Sequence, residues 1–130
     1  MIDNIGGVTS QLVGLALDAA LLRHQITAHN IANADTPGYS AKRLNFDDYL
    51  TRFSTSAMNA STDALLSNEV ASLRKQLNQG HGLIDSIGGE VQLDQEMIEL
   101  TENVLRYRAL LEANGKRGDI LKMAIKEGRT

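Results

Sequence analysis

The sequence predicts an all-α protein in which two long amphipathic terminal helices pack as an antiparallel coiled coil, joined by a loosely ordered middle segment. Apolar residues recur in alternating steps of four and three near both ends of the chain, which is the spacing of a coiled-coil seam. Aromatic residues are only 4% of the 130 residues, and the single proline cannot punctuate the many turns of a β sandwich or barrel. The length leaves room for one domain.

The first predicted helix runs from residue 8 to about residue 34. Its seam consists of Val8, Leu12, Leu15, Ala19, Leu22 and Ile26. Other apolar residues widen the stripe beyond a two-helix seam, so we expect more than one neighbour against this helix. Thr9 or Ser10 is suited to cap its start, and the turn around Pro37 is expected to end it, because proline disfavours helical geometry at the residue before it.

The middle of the chain has a different character. Residues 54–68 are rich in Ser, Thr, Asn and Ala, and residues 80–90 are rich in Gly. We expect this part to be loosely ordered, with one short helix at residues 68–76. Two helices and an unstructured middle give one chain too little internal core, so the missing burial should come from other subunits.

The second predicted helix runs from residue 94 to about residue 125. Its seam consists of Met97, Leu100, Val104, Tyr107, Leu111, Leu121 and Ile125. Acidic residues lie near its start and basic residues toward its end, which complements the helix macrodipole. Gly115 and Gly118 fall inside the pattern and weaken a helix, so a break near residues 114–118 is an expectation. The chain is thus divided into an amino-terminal helix and turn (1–39), a connecting segment (40–90) and a carboxyl-terminal helix (91–130).

Composition argues against several classes of function. The net charge of −3 is spread without a basic patch, so no nucleic-acid footprint is expected. No apolar run reaches the length of a membrane span, and the first residues lack the basic region of a cleaved secretory signal. The absence of cysteine excludes disulfides, thiolate metal sites and a cysteine nucleophile.

No residue pattern indicates catalysis, a cofactor or a metal. His24 and His29 are five residues apart rather than the four that place two imidazoles over one metal, and His81 is expected in a solvated loop. Glu99 and Glu102 are explained by the helix start, and neither a nucleophile elbow nor a phosphate loop is present. The sequence therefore predicts a protein that is not an enzyme.

One stretch of the sequence has a distinctive composition. It is the polar run at residues 28–43, AHNIANADTPGYSAKR. Asn30, Asn33, Asp35 and Thr36 can bond backbone groups exposed where the helix ends, and the Pro-Gly pair that follows sets a tight turn. A well-capped turn explains the residue types. A capped turn alone does not explain why so many polar residues follow directly after the apolar seam of the first helix.

Residues 30–39, NIANADTPGY, resemble the amino-terminal signature of the bacterial flagellar rod, hook and hook-associated proteins. The short length and the stretches 89–97 and 103–111 resemble the proximal rod subunits of that family. The resemblance covers roughly residues 1–45 and 88–126.

That resemblance implies a structural subunit of the flagellar basal body, with its terminal helices bundled along the rod axis as part of the drive shaft and export channel. It implies export through the flagellar type III apparatus without a cleaved signal, and assembly in the periplasm. The implied partners are other copies of the chain, other rod proteins, the adaptor between the MS ring and the rod, and the export apparatus.

Residues of the seams and of the turn are the expected subunit contacts. They are Leu12, Leu15, Leu22, Ile26, Asn30, Asn33, Asp35, Pro37, Gly38, Tyr39, Leu100, Val104, Tyr107 and Leu111.

Two other classes of function remain open. A coiled-coil adaptor or a secretion chaperone of a type III export system would share the helices but has no need of the turn at residues 33–39. A small helical enzyme or metal protein would need a site that the sequence does not show.

Overall fold

The computed structural model describes residues 2–59, 63–79 and 82–128. Helix α1 (Ile2–Ala32) is followed by strand β1 (Lys42–Leu44), helices α2 (Asp47–Asn59) and α3 (Asp63–Gln79), strand β2 (Ile84–Ser86) and helix α4 (Leu93–Glu127). The two strands form an antiparallel pair with Lys42 opposite Ser86 and Leu44 opposite Ile84. The protein is therefore mostly helical, as the sequence predicts, with one small sheet that it does not predict.

Helix α1 begins earlier than its sequence suggests. It starts at Ile2 rather than at residue 8, so Thr9 and Ser10 lie within the helix and the predicted cap is wrong. The Gly6-Gly7 pair costs a helix only about 1 kcal/mol per residue, which does not end it here. At its other end the helix stops at Ala32, two residues before the expected boundary.

The middle segment is folded, so the prediction of a loosely ordered linker is wrong for its described residues. Helices α2 and α3 occupy most of it, and the short helix expected at residues 68–76 lies inside the longer α3. Hydroxyl side chains are accommodated in α2 because they bond back to helix carbonyls: Thr51 Oγ1 donates to the Asp47 oxygen (3.0 Å) and Thr55 Oγ1 to the Thr51 oxygen (3.0 Å). His81 lies outside the described residues.

The core lies between α1 and this middle segment. Its buried residues are Leu15, Ala19, Ile26, Leu44, Phe46, Phe53, Val70, Leu73, Leu77 and Leu83, and half-buried Leu12 and Leu22 pack against them. An ion pair between Arg74 Nε and Asp18 Oδ2 (2.7 Å) also joins α3 to α1. The α1 seam therefore lies in a core that also contains residues of α2, α3 and the strands.

Helix α4 runs antiparallel to α1 but does not share this core. Asn30 of α1 contacts Glu96 of α4, and Ala20 contacts Asn103, so the two helices run in opposite directions. Among the described residues, α4 contributes nothing to the buried cluster. The antiparallel packing of the two terminal helices is present, whereas the predicted pairing of their seams as a coiled coil is not confirmed.

Helix α4 is continuous through Gly115 and Gly118, so the expected break near residues 114–118 is not present. An ion pair spans this region one turn apart, with Lys116 Nζ 3.1 Å from Glu112 Oε1. Such pairs stabilise an exposed helix only slightly.

Candidate assembly motif and its contacts

Asn30 lies in the last turn of α1 and is completely buried. Its Nδ2 donates to the Lys42 carbonyl oxygen (2.9 Å) and to Glu96 Oε2 (3.1 Å). Its Oδ1 accepts from the Lys42 backbone N–H (3.0 Å) and from the Tyr39 hydroxyl (2.9 Å). One side chain thus joins the end of α1 to the turn, to β1 and to α4, with all four of its hydrogen-bonding positions used.

Glu96 completes this contact from α4. Its side chain is 1% exposed, and its second oxygen, Oε1, accepts from Nη2 of Arg43 on β1. A buried carboxylate is tolerated where it has both an opposite charge and hydrogen bonds, and Glu96 has both. The Asn30, Arg43 and Glu96 side chains form what we call the polar lock.

The polar lock unites the two segments that carry the family resemblance. Asn30 and Arg43 lie in the run at residues 28–43, and Glu96 lies in the stretch at residues 89–97. Sequence reasoning had assigned Glu96 only to macrodipole complementarity at a helix start. The signal that could have drawn attention to it was the presence of three acids, Glu90, Asp94 and Glu96, in a stretch that resembles the same family as the turn.

The turn after α1 is built from short-range bonds. Asn33 Nδ2 donates to the His29 carbonyl oxygen (2.9 Å), and the Thr36 hydroxyl donates to Asn33 Oδ1 (3.3 Å). Gly38 has a φ of +78°, a conformation that glycine adopts without strain. This turn leaves Asp35, Pro37 and Gly38 exposed, with Asn33 and Tyr39 half-buried.

Asn103 is a second polar contact between α4 and α1. It is buried, and its Nδ2 donates to the Ala20 carbonyl oxygen (2.7 Å). Its Oδ1 is buried without a hydrogen-bond partner in the part of the chain that the structure describes. Beside it, a groove of about 390 Å³ separates the two helices, lined by apolar side chains that include Leu21, Val104 and Tyr107. The contact between α1 and α4 is the most extensive between any two elements of the described residues, and it combines buried polar groups with a groove on one side.

The predicted contact residues fall into three environments. Leu15, Ile26 and Asn30 are buried inside the chain. Half-buried residues are Leu12, Leu22, Asn33, Tyr39, Leu100, Val104 and Tyr107. Exposed residues are Asp35, Pro37, Gly38 and Leu111. The structure thus brings the α1 seam into the core and leaves the turn and α4 accessible.

Helix α4 exposes a large apolar surface along its length. The exposed side chains are Leu93, Met97, Ile98, Leu105, Leu111, Ile120, Leu121, Met123 and Ile125. Single exposed apolar residues are normal, but a series along one helix is typical of a surface that another molecule covers. Sequence reasoning placed part of this series in a seam with α1, and the structure leaves it uncovered.

The described residues show neither a metal-binding cluster nor a membrane-spanning helix. No group of three or more His, Cys, Asp or Glu side chains that could hold a metal occurs among the described residues. Within the same residues, no helix has both the length and the hydropathy needed to cross a bilayer.

Comparisons with known proteins agree with the resemblance. Residues 15–39 match the family described as "Flagella basal body rod protein". The "Flagellar basal body rod protein FlgB" of Bacillus subtilis (strain 168) is 30% identical, over 93% of this chain and 95% of the relative. The proteins of the same name from Aeromonas hydrophila and Escherichia coli (strain K12) are 32% and 28% identical, over 82% and 75% of this chain and 85% and 78% of their own lengths.

No solved structure shows significant similarity to the chain. The match to the Bacillus subtilis protein nonetheless extends over nearly the whole of both sequences. It includes both segments that meet in the polar lock. The chain belongs to the family of flagellar basal body rod proteins named FlgB.

Proposed function

We propose that this chain is a structural subunit of the proximal rod, which assembles by packing its terminal helices against neighbouring rod subunits. In this role it forms part of the drive shaft and export channel needed for motility. The observation that carries the proposal is the uncovered apolar surface of α4, which stands out in a chain whose α1 seam is already buried. A rod subunit needs such a surface because its neighbours supply the missing burial.

The proposed partners are other copies of the chain, other rod proteins, the adaptor between the MS ring and the rod, and the export apparatus. The proposed route is export through the flagellar type III apparatus without a cleaved signal, followed by assembly in the periplasm. The exposed apolar surface of α4 supports this route, because a chain that is exported and then assembled leaves such a surface for its neighbours to cover.

The turn is the second proposed contact surface. Asp35 is exposed and makes no ion pair within the described residues, and the half-buried Tyr39 presents part of an aromatic ring. Rings with a polar tip are enriched at interfaces. The buried residues Leu15, Ile26 and Asn30 act on assembly differently, because they maintain the fold of the subunit that presents these surfaces.

The test is complementation of a strain that lacks its own copy of this protein. The variant Leu121→Asp with Ile125→Asp places two charges on the uncovered surface, and Asn114→Asp is the matched control on an exposed polar site of the same helix. We expect the double variant to lose swimming and rod recovery while its helix content by circular dichroism is unchanged, and the control to behave as wild type.

Purified basal bodies then separate the alternative functions. A rod subunit is recovered in stoichiometric amounts with the rod. An adaptor or secretion chaperone remains in the cell as a folded dimer and is absent from the rod. Normal swimming by the Leu121→Asp, Ile125→Asp variant, or absence of the wild-type chain from purified rods, would refute the proposal.

A further inference from the structure

A polar cavity of about 290 Å³ lies where α1, β1 and the start of α2 meet α4. Helix α4 contributes four polar side chains to its wall. They are Glu99, Glu102, Asn103 and Arg106. Residues three and four positions apart lie on one face of a helix, so these side chains form a polar row along α4. Each of them needs water or another bonding partner in the cavity.

Two of the three arginines that line the cavity have partners inside the chain. Arg43 is paired with Glu96 in the polar lock, and Nη2 of Arg23 lies 4.0 Å from Oδ1 of Asp47. The fold of the single chain therefore accounts for both of these guanidinium groups.

The other charged groups of the cavity have no such partner. Within the described residues, Glu99, Glu102 and Arg106 make no ion pair shorter than 4.0 Å. Both glutamates lie beyond the first turn of α4, where the effect of the macrodipole fades. Glu99 is half-buried, and an unpaired carboxylate is unfavourable away from water. Two carboxylates and one guanidinium thus remain to be matched.

The buried amide of Asn103 adds a fourth unmatched group. The residue is 3% exposed, and its Nδ2 donates to the carbonyl oxygen of Ala20, which borders the apolar groove. The other arm of the amide, Oδ1, is therefore directed to the polar cavity, and it has no hydrogen-bond partner in the described part of the chain. A buried acceptor without a partner is rare in folded proteins, so this oxygen points to a donor that comes from outside the chain.

We propose that the cavity binds a free α-amino acid. An ammonium group has three N–H donors, which match the carboxylates of Glu99 and Glu102 and the Oδ1 of Asn103. A carboxylate accepts two parallel hydrogen bonds from one guanidinium, and Arg106 provides that group. A lone cation would leave Arg106 unmatched, and a lone anion would leave the three acceptors unmatched.

The size and the apolar wall of the cavity limit the side chain of this amino acid. A volume of about 290 Å³ is at the lower end of ligand pockets. The buried side chains Ile26 and Leu44 form the apolar part of the wall. We therefore expect a small apolar side chain and choose alanine as the probe. All the residues belong to one chain, so this proposal does not depend on assembly into a rod.

The test follows the side-chain amide of Asn103 by nuclear magnetic resonance in the purified full chain. We expect its signals to shift and then saturate as alanine is added, because Oδ1 gains a donor. Alanine amide keeps the ammonium and lacks the carboxylate, whereas N-acetylalanine keeps the carboxylate and lacks the ammonium. Each should bind at least roughly tenfold more weakly than alanine, since each loses one charge-assisted set of hydrogen bonds.

Three variants of α4 test the residues. Glu102→Gln and Arg106→Gln change exposed side chains of the cavity wall, and each should weaken the binding of alanine by roughly tenfold. Arg108→Gln is the matched control, because Arg108 is an exposed arginine of the same helix outside this cavity. It should bind alanine within about twofold of wild type. Circular dichroism checks that the helix content of all three is unchanged.

Several results would overturn the proposal. They are the absence of a saturating shift with alanine, binding of alanine amide or N-acetylalanine as tight as that of alanine, and wild-type binding by either cavity variant. A loss of binding in Arg108→Gln as large as in the cavity variants overturns it too. These measurements use the isolated chain, so such results leave the proposed function intact, and absence of the chain from purified rods is the separate result that removes that function.

Discussion

Helices α1 and α4 have the same apolar spacing and opposite surroundings. The seam of α1 lies in the apolar core together with residues of α2, α3 and the strands, and Leu15 is only 1% exposed. In the seam of α4, three side chains (Leu100, Val104 and Tyr107) are half-buried and four are exposed, among them Leu121, which is 51% exposed. The spacing of apolar residues thus predicts that one face of a helix is buried. It does not report which part of which molecule covers that face.

The two helices also differ in what holds them. The apolar core joins α1 to the middle segment, whereas the contact of α1 with α4 includes the buried polar side chains Glu96 and Asn103, which bond to the side chain of Asn30 and to the backbone of Ala20. Polar contacts of this kind specify which residues face each other, because a shifted helix would leave buried groups without partners. We infer that these contacts hold α4 in a fixed register on α1, and that the exposed apolar side chains of α4 are left for assembly.

The largest expected effect comes from breaking the polar lock. Asn30→Asp keeps the size of the side chain but brings a carboxylate against Glu96 and the Lys42 carbonyl oxygen. We expect the free energy of unfolding to fall by about 3–5 kcal/mol, because buried like charges and unpaired acceptors result. Urea unfolding of the purified chain, followed by circular dichroism, measures this loss.

The matched control for this variant is Asn114→Asp, the same chemical change on the exposed part of α4. It should alter the free energy of unfolding by less than about 0.5 kcal/mol. Equal losses for Asn30→Asp and Asn114→Asp would show that Asn30 does not organise the contact between the helices.

The second prediction tests the comparison of the two seams directly. Leu15→Ala removes a buried side chain from the core and should lower the free energy of unfolding by about 2–4 kcal/mol. Leu121→Ala changes an exposed side chain of the same type and should leave the stability of the isolated chain within about 0.5 kcal/mol of wild type. Urea unfolding curves measure the free energy of unfolding of both variants. Counts of rods per cell show whether Leu121→Ala acts on assembly instead. If Leu121→Ala is as destabilising as Leu15→Ala in the isolated chain, then α4 is not uncovered.

The sequence predicted both terminal helices because long periodic segments are the strongest local signal. It did not predict the helices of the middle segment, since Ser and Thr favour turns unless their hydroxyls bond back to the helix, as Thr51 and Thr55 do. The predicted coiled-coil pairing of the α1 seam with α4 is not confirmed, although the two helices contact each other, and it rested on the same assumption about the middle segment. With the middle segment taken as disordered, α4 was the only helix left to cover that seam.

The candidate site was predictable only in part. Asn30 and the turn were identified from their polar character and their resemblance to a known signature. The contact of Asn30 with Glu96 spans 66 residues along the chain, and local periodicity carries no information over that separation. The uncovered surface of α4 could not be predicted either, because its seam looks the same in sequence whether the partner is α1 or another molecule.

The third prediction separates the two roles of Tyr39. Tyr39→Phe removes the hydroxyl that donates to Asn30 Oδ1 but keeps the ring, and should cost about 1 kcal/mol of stability. Tyr39→Ala removes both, so assembly should fall more than helix content does if the ring contacts a neighbouring subunit. Circular dichroism and rod recovery are compared for both variants. Rods formed normally by Tyr39→Ala would mean that Tyr39 serves only its own turn.

The smallest expected effects compare a glycine inside α4 with a glycine in the turn after α1. Gly115 lies within α4, and a Cβ added there meets no atom within 4 Å. Gly115→Ala should therefore raise the free energy of unfolding by about 0.5–1 kcal/mol, since alanine has the higher helix propensity.

Gly38, in the turn after α1, should respond in the opposite direction. A Cβ added at Gly38 also meets no atom within 4 Å. The φ of Gly38, however, is +78°, which alanine adopts only with strain of about 1 kcal/mol. Gly38→Ala should thus lower stability although no atom obstructs the methyl group. Thermal unfolding of the two variants and of wild type shows whether each substitution raises or lowers the stability. A destabilised Gly115→Ala would mean that α4 does not continue as a regular helix through residue 115, and an unchanged Gly38→Ala would mean that the turn relaxes to a backbone conformation open to any residue.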